Sequence, residues 1–273
     1  MHRNSWRLVA FLMFWGLAAC HPEFQLKNLT TNESLYTASL KEFQRKHWDN
    51  AVAGFEKLTT DLPPRDTLLP RSYWYLAEAH DRMGEHLLAA QSFSRLTETF
   101  PDDSLADDAA LESARSYKKL WRRPELDPQY GDIAVTSYNT LIGLYPNSPL
   151  LPQAQKELGE LDEMFAEKDY DSGIYYFRRK AWDSANLYFK DVLAKHPNAP
   201  KARDAGTKLV QSYKAIGYKD DATDLCTELK QRYPSDKQVA DVCRGLPTAV
   251  AAKPDSTPAP PRAPPATKPP TTN

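Results

Sequence analysis

The sequence predicts an all-α fold, a superhelical solenoid of five helix pairs closed by a short C-terminal helix, and three observations predict it. One apolar spacing recurs five times, each copy ends in a proline, and strand-type alternation is hard to find in a chain with 22 prolines and only 10 glycines. The recurring unit is Ala, an aromatic or similar residue four positions on, Leu or Val three further, and Pro five beyond that. Its copies are Ala51, Phe55, Leu58, Pro63, then Ala89, Phe93, Leu96, Pro101, then Ala134, Tyr138, Leu141, Pro146. Two more follow: Ala185, Phe189, Val192, Pro197 and Ala222, Cys226, Leu229, Pro234, where cysteine replaces the aromatic. Spacings of four and three put the apolar residues on one helical face. The proline stops the helix, because it offers no N–H and restricts the residue before it.

Each copy therefore reads as the second helix of a pair. One helix upstream lie the matching first-helix positions: Ala77 and His80, Ala114 and Tyr117, Gly173 and Tyr176, Val210 and Tyr213. The small residue lets two helices approach, and the residue three on fills the space beside the contact. The pattern resembles the tetratricopeptide repeat, a helix-turn-helix unit of about 34 residues, although the intervals between prolines here are longer and uneven. Two irregularities stand out. An insertion with Trp121, Arg122, Arg123, Pro124, Asp127 and Pro128 separates the helices of the third copy, and a long helix from about Leu151 to Lys168 enters the fourth. After Pro234, Ser235 is placed to cap a short closing helix to Arg244 with Val239, Val242 and Cys243 on one side. The repeat domain is expected over 33–246, and the Pro, Ala, Thr and Lys composition of 247–273 predicts a disordered tether.

The beginning of the chain reads as an address. Arg3 and Arg7 precede an apolar run from Leu8 to Leu17 that is too short to span a hydrocarbon core of ~30 Å, so 1–19 reads as a signal peptide. Its end, Leu17-Ala18-Ala19-Cys20, resembles the bacterial lipobox, in which the cysteine thiol takes a diacylglycerol before cleavage. Cys20 is thus the expected lipidation site and 20–32 a lipidated linker. Palmitate-type chains on one residue would hold the protein to a membrane, since burial is worth ~0.8 kcal/mol per methylene. His21 stands where an aspartate favours inner-membrane retention in enteric-type lipoproteins. By that analogy the protein belongs on the periplasmic face of the outer membrane.

Chemistry is harder to find. Lys+Arg 35 against Asp+Glu 36 leaves a net charge of -1, without the basic excess that phosphate neutralisation requires, so nucleic acid is not an expected partner. The histidines at 2, 21, 47, 80, 86 and 196 make no HExxH, and neither GxSxG, a Walker-type loop nor CxxC occurs. No enzyme activity, cofactor or metal site is expected. His80 reads as a core-edge residue, and Asp102, Asp103, Asp107 and Asp108 as acidic residues at a helix start favoured by the macrodipole. With Cys20 acylated, Cys226 and Cys243 remain. In an oxidising periplasm the pair forms either a disulfide or two buried thiols.

Lipobox, five repeats and a long fourth first-helix together resemble the BamD family, lipoproteins of the machine that inserts β-barrel proteins into the outer membrane. The resemblance is closest from Asp127 to Pro234, through Asp127-Pro128-Gln129-Tyr130, Tyr145-Pro146-Asn147-Ser148, Tyr175-Tyr176 and Ala181-Trp182. It implies a scaffold whose C-terminal repeats bind the periplasmic domains of the barrel-forming assembly factor, together with accessory lipoproteins. It also implies N-terminal repeats that hold the C-termini of unfolded outer-membrane proteins. By repeat position Tyr36, Leu40, Phe43, Arg71, Trp74 and Glu78 fall on the peptide-binding face, where aromatics would take a terminal aromatic and Arg71 its carboxylate. Tyr36 and Trp74 have packing as an alternative role. Arg178, Arg179, Trp182, Arg203 and Asp204 are the expected partner surface, with a solvated face as the alternative. Arg178 and Lys180 depart from the small residue expected in that turn. A competing expectation with the same fold is a periplasmic adaptor for cell-wall synthesis and division or for pilus assembly. A wall hydrolase has only location and the Pro-rich tail in its favour.

Overall fold

Each repeat proline stands two residues beyond a helix end, so the punctuation read from the sequence sets the architecture. The computed structural model describes residues 24–247. Among these are a 3-10 turn at Leu26–Asn28 and eleven α-helices, without strands. The pairs are α1 (Asn32–Gln44) with α2 (Trp48–Asp61), α3 (Leu69–Met83) with α4 (His86–Thr99), and α5 (Ala106–Leu120) with α6 (Gln129–Leu144). Then come α7 (Leu151–Arg178) with α8 (Trp182–Lys195), α9 (Pro200–Ile216) with α10 (Lys219–Arg232), and the closing α11 (Lys237–Val242). The fold is the all-α array of tetratricopeptide-like pairs that the repeats predict. The signal peptide, Cys20 and the tail from residue 248 onward lie outside the described residues.

The repeated apolar positions form the core. Ala51, Phe55, Leu58, Ala134, Tyr138, Leu141, Ala185, Phe189 and Val192 are all fully buried, and Cys226, at 2% exposed, takes the same place in the last copy. Each large side chain so buried contributes roughly 1.5–3 kcal/mol. The first-helix positions answer them. Gly173 on α7 is required by close approach, because a Cβ there would lie 2.5 Å from a Phe189 ring carbon. Thr31 starts α1 with a capping box, its hydroxyl accepting from the Ser34 N–H at 3.2 Å while the Ser34 hydroxyl accepts from the Thr31 N–H at 3.3 Å.

Four of the turns inside pairs use one left-handed residue: Lys46 (φ 65°), Gly84 (φ 80°), Lys180 (φ 59°) and Gly217 (φ 82°). Two are the glycines such a turn favours, and two are lysines that carry the steric cost. The third pair has the insertion instead. Trp121, 1% exposed, packs against Phe165 with ring centroids 4.4 Å apart, and the Lys168 ammonium donates to the Pro124 and Leu126 carbonyls at 3.2 and 2.9 Å. The insertion is therefore a fastened element.

Two details differ from the sequence reading. The helix expected to end near Lys168 continues to Arg178, since no proline interrupts it and Gly159 meets nothing within 4 Å. The cap of α11 is Asp236 rather than Ser235: its carboxylate accepts from the Val239 N–H at 3.0 Å, which its helix-flanking backbone position allows. The chain divides into two compact units, one to Lys168 and one from Asp169, with α7 contributing to each.

Candidate functional site

Tyr36, Leu40 and Phe43 are spaced by four and three and so share one face of α1, while Leu35, Ser39 and Glu42 turn inward and are buried. The rings of that face interlock with α3. Tyr36 meets Phe55 edge-on at 5.9 Å and Tyr75 at 6.5 Å, Phe43 meets Trp48 at 5.1 Å and Tyr75 at 5.2 Å, and Tyr75 stacks on Phe55 at 5.5 Å. Trp74 joins a neighbouring cluster by packing edge-on against Phe93 at 5.2 Å. The aromatic residues singled out from the sequence are thus half-buried: each has a packing role and keeps an accessible part. Tyr75, at the centre of the cluster, was not singled out. Its signal was its place one residue after Trp74 in the run Tyr73-Trp74-Tyr75, and repeat position alone could not rank the three.

Charge on this face is sparse. Arg71 is exposed and near enough to Tyr36 to act on its phenol, whose pKa is raised by burial and by Tyr75 and drawn back by Arg71. Glu78 has a raised pKa because burial disfavours its charge; Arg82 and Lys119 oppose that, while Glu112 and Asp81 add to it.

Further along the same unit, α5 and the first part of α7 are bridged by ions that the sequence reading did not find. Arg115 holds Glu157 in a fork, with Nε at 2.9 Å from Oε2 and Nη2 at 2.6 Å from Oε1, and the buried Tyr138 hydroxyl donates to the same carboxylate at 2.7 Å. Burial would raise the Glu157 pKa, but hydrogen bonds from Arg115 and Tyr138 hold it down at about 2. Lys118 pairs with Glu160 at 2.5 Å. Lys119 pairs with Asp81 at 2.6 Å, and His86 Nδ1 lies 2.9 Å from the same carboxyl. The partners in the Arg115–Glu157, Lys118–Glu160 and Lys119–Asp81 pairs are 38 to 42 residues apart, so spacing could not reveal them. His80 is 4% exposed with Nδ1 at 2.7 Å from Glu85, a core-edge position as expected. Of the acidic run, Asp107 and Asp108 lie in the first turn of α5, and Asp107 also accepts from the Ser148 hydroxyl at 2.7 Å.

In the second unit the expected partner residues fall into two groups. Arg178 is exposed at the end of α7, and Arg179 lays its guanidinium 3.5 Å above the Tyr175 ring while donating to the Tyr175 carbonyl at 3.0 Å. Trp182, the first residue of α8, packs edge-on against Phe177 at 5.1 Å. Tyr175 and Leu187 stay 51% and 60% exposed, so this end of α7 and α8 presents cation and apolar surface together. Arg203 and Asp204 do something else. Arg203 pairs with Asp204 at 2.8 Å and with the capping Asp236 at 3.1 Å, which fastens α9 to α11. A disulfide joins Cys226 to Cys243, with Cα atoms 5.7 Å apart, and Lys214 donates to the Val242 carbonyl at 3.0 Å.

Among the described residues no group of His, Cys, Asp and Glu could hold a metal ion, and no helix is long and apolar enough to cross a membrane. What these surfaces offer is recognition: rings, guanidinium groups and ion pairs on rigid helices.

Comparison with known proteins gives a consistent result. The family model described as YfiO, outer membrane lipoprotein, matches residues 29–240. The outer membrane protein assembly factor BamD of Xylella fastidiosa (strain Temecula1) is 27% identical over 240 residues, covering 80% of this chain and 78% of that protein. The protein of the same name from Caulobacter vibrioides is 22% identical over 252 residues, covering 89% and 81%. Among solved structures, a tetratricopeptide-repeat protein from Bacteroides fragilis aligns with a TM-score of 0.47 at 12% identity, over 78% of this chain and 96% of that one.

Proposed function

The chain belongs to the YfiO outer membrane lipoprotein family, the family of BamD, and from that premise we propose that it is an outer-membrane protein assembly factor that works as a scaffold rather than as an enzyme. The observation that carries this reading is the reach of the family match, which runs from before α1 into α11 and so takes in all five helix pairs. A repeat array suits the task because rigid helices hold recognition groups at fixed spacing along an extended surface.

In this reading Cys20 is acylated and anchors the chain to the periplasmic face of the outer membrane. The rings of Tyr36, Phe43 and Trp74, with Leu40, receive the terminal aromatic of an unfolded barrel protein, Arg71 meets its carboxylate, and Glu78 borders the face. Half-burial supports this, since packing fixes the rings before a ligand arrives and lowers the ordering cost of binding. Arg178, Arg179 and Trp182 meet the periplasmic domains of the barrel-forming factor. Arg203 and Asp204 support that surface by fixing the α9–α11 end, and accessory lipoproteins complete the assembly.

The test is purification of the mature chain, tagged at its C-terminus, from detergent-solubilised envelope, followed by mass spectrometry. Recovery of a large outer-membrane barrel protein with repeated periplasmic domains is the expected result. Recovery of division, wall-synthesis or secretin proteins in its place would overturn the assigned machine.

A further inference from the structure

A cleft of about 690 Å³ opens between α5 and the first part of α7, and nothing assigned so far uses it. α5 supplies Arg115, Lys118 and Lys119 within ~6 Å of helix, and Arg122, two residues beyond its end, completes a basic wall. α7 lines the other side with Gln153, Lys156 and Met164 and with the carboxylates of Glu157 and Glu160. The two sides differ in how far their charges are already spoken for. Arg115, Lys118 and Lys119 are held by Glu157, Glu160 and Asp81. Arg122 makes no hydrogen bond or ion pair among the described residues. The Lys156 side chain is 77% exposed and reaches Glu160 only at 3.8 Å.

A second, independent feature lies in the lining. Trp121 forms part of the cleft and is 1% exposed, yet its indole N–H meets no acceptor. A buried donor left in that condition costs ~1–3 kcal/mol, so an incoming carbonyl or carboxylate oxygen there regains what folding forfeits.

We propose that this cleft binds an extended, acidic segment of a partner polypeptide, with carboxylates on Arg122 and Lys156 and a main-chain carbonyl on the Trp121 indole N–H. Three observations favour a peptide over a phosphate. The volume is that of a site for a ligand of several residues, the Trp121 indole N–H and the second amide hydrogen of Gln153, whose first donates to Glu157 at 3.2 Å, suit carbonyl oxygens, and Met164 gives an apolar contact for intervening side chains. Alternate side chains of an extended chain fall on one side, so acidic residues two apart turn the same way and the residues between them turn to the apolar part. The site needs no free C-terminus, and the proposal does not rest on the barrel-assembly reading.

The probe is a fluorescein-labelled octapeptide of alternating Glu and Leu, acetylated and amidated so that it carries no terminal charge, titrated into the full mature chain and followed by anisotropy. Saturable binding is expected, weakening with added salt and falling about tenfold in the Arg122→Glu, Lys156→Glu double variant. Both residues are exposed, and circular dichroism of the variant checks that it folds. The indole N–H resonance of Trp121, assigned from Trp121→Phe, is expected to shift on binding. The proposal is overturned if the double variant binds equally well, if an alternating Lys and Leu peptide binds as tightly, or if the resonance stays put. It is also overturned if inorganic phosphate or anionic vesicles bind at the same residues while the peptide does not.

Discussion

The two units use the same repeat and close it by different means. In the first, to Lys168, ion pairs bind first helices to one another: Arg115 with Glu157 and Lys119 with Asp81 link residues on successive pairs. In the second, from Asp169, rings join the two helices of a pair, and a disulfide with the Arg203–Asp236 ion pair secures the closing helix. Tyr170, Phe177 and Phe189 interlock, Tyr176 stacks on Tyr188 at 5.6 Å, and the Cys226–Cys243 disulfide ties α10 to the end of α11. The core triads occupy the same repeat positions in both, with Cys226 replacing the aromatic in the last, so the difference lies mainly in what is built around them. A repeat fold fixes the core and leaves the fastening free, and each fastening has its own weakness: acid for the first unit, reductant for the second.

The largest expected effects test whether the cores are equivalent. Phe55→Ala and Phe189→Ala are each expected to cost about 3–5 kcal/mol, with faster hydrogen exchange in the unit that carries the change. Similar exchange in both units after either change would show that the units do not respond separately. Reducing the disulfide, which closes a loop of 17 residues, is expected to cost about 3 kcal/mol and to loosen α10 and α11 while leaving α1 to α6 unaffected. Exchange after treatment with dithiothreitol reads this directly.

Acid acts on the other fastening. The Glu157 pKa lies at about 2 in the folded protein against an ordinary 4.5, so its contribution is fully present above that ordinary value and is lost as the pH falls towards 2. With side chains 15% and 24% exposed, the Glu157–Arg115 pair is worth on the order of 2 kcal/mol after solvent screening. Glu157→Gln is expected to remove that contribution at pH 7 and to match the parent near pH 2, as denaturant unfolding across the pH range would record. Asp81 and Glu42, also lowered, add to the acid sensitivity, while the raised Glu78 and Asp108 work against it because their charged forms are disfavoured by burial. The smallest effects are at the left-handed turns. Lys46→Gly in the first unit and Lys180→Gly in the second are each expected to raise stability by about 0.5–1 kcal/mol, the steric relief exceeding the entropy lost with glycine. Destabilisation by either would mean that the lysine side chain does more than occupy a turn.

Most of the fold was legible because the repeat writes its core and its stops in the same register: Ala89, Phe93 and Leu96 are buried, and Pro101 follows two residues after the helix end. The continuity of α7 was not, since a boundary inside a helix without proline leaves no mark. The site was legible only as a face. Spacing put Tyr36, Leu40 and Phe43 together, but it could not tell that Tyr75 of α3 would stand among them, nor that Arg203 would be drawn to Asp236, 33 residues away. Ion pairs and ring contacts between helices depend on how the helices cross, which no local pattern records. Trp121 is the clearest case. It lies in an irregular insertion, and only the space left by Gly131 in the first turn of α6 permits its burial.

The central claim is that this scaffold serves the assembly of outer-membrane β-barrels. Its most direct test is depletion of the chain in its own bacterium, followed by quantification of folded, heat-modifiable barrel proteins in the outer membrane. The account predicts a broad fall in folded barrels of many sizes, restored by the full chain. Unchanged barrel levels, with a defect confined to division, wall synthesis or pili, would contradict it.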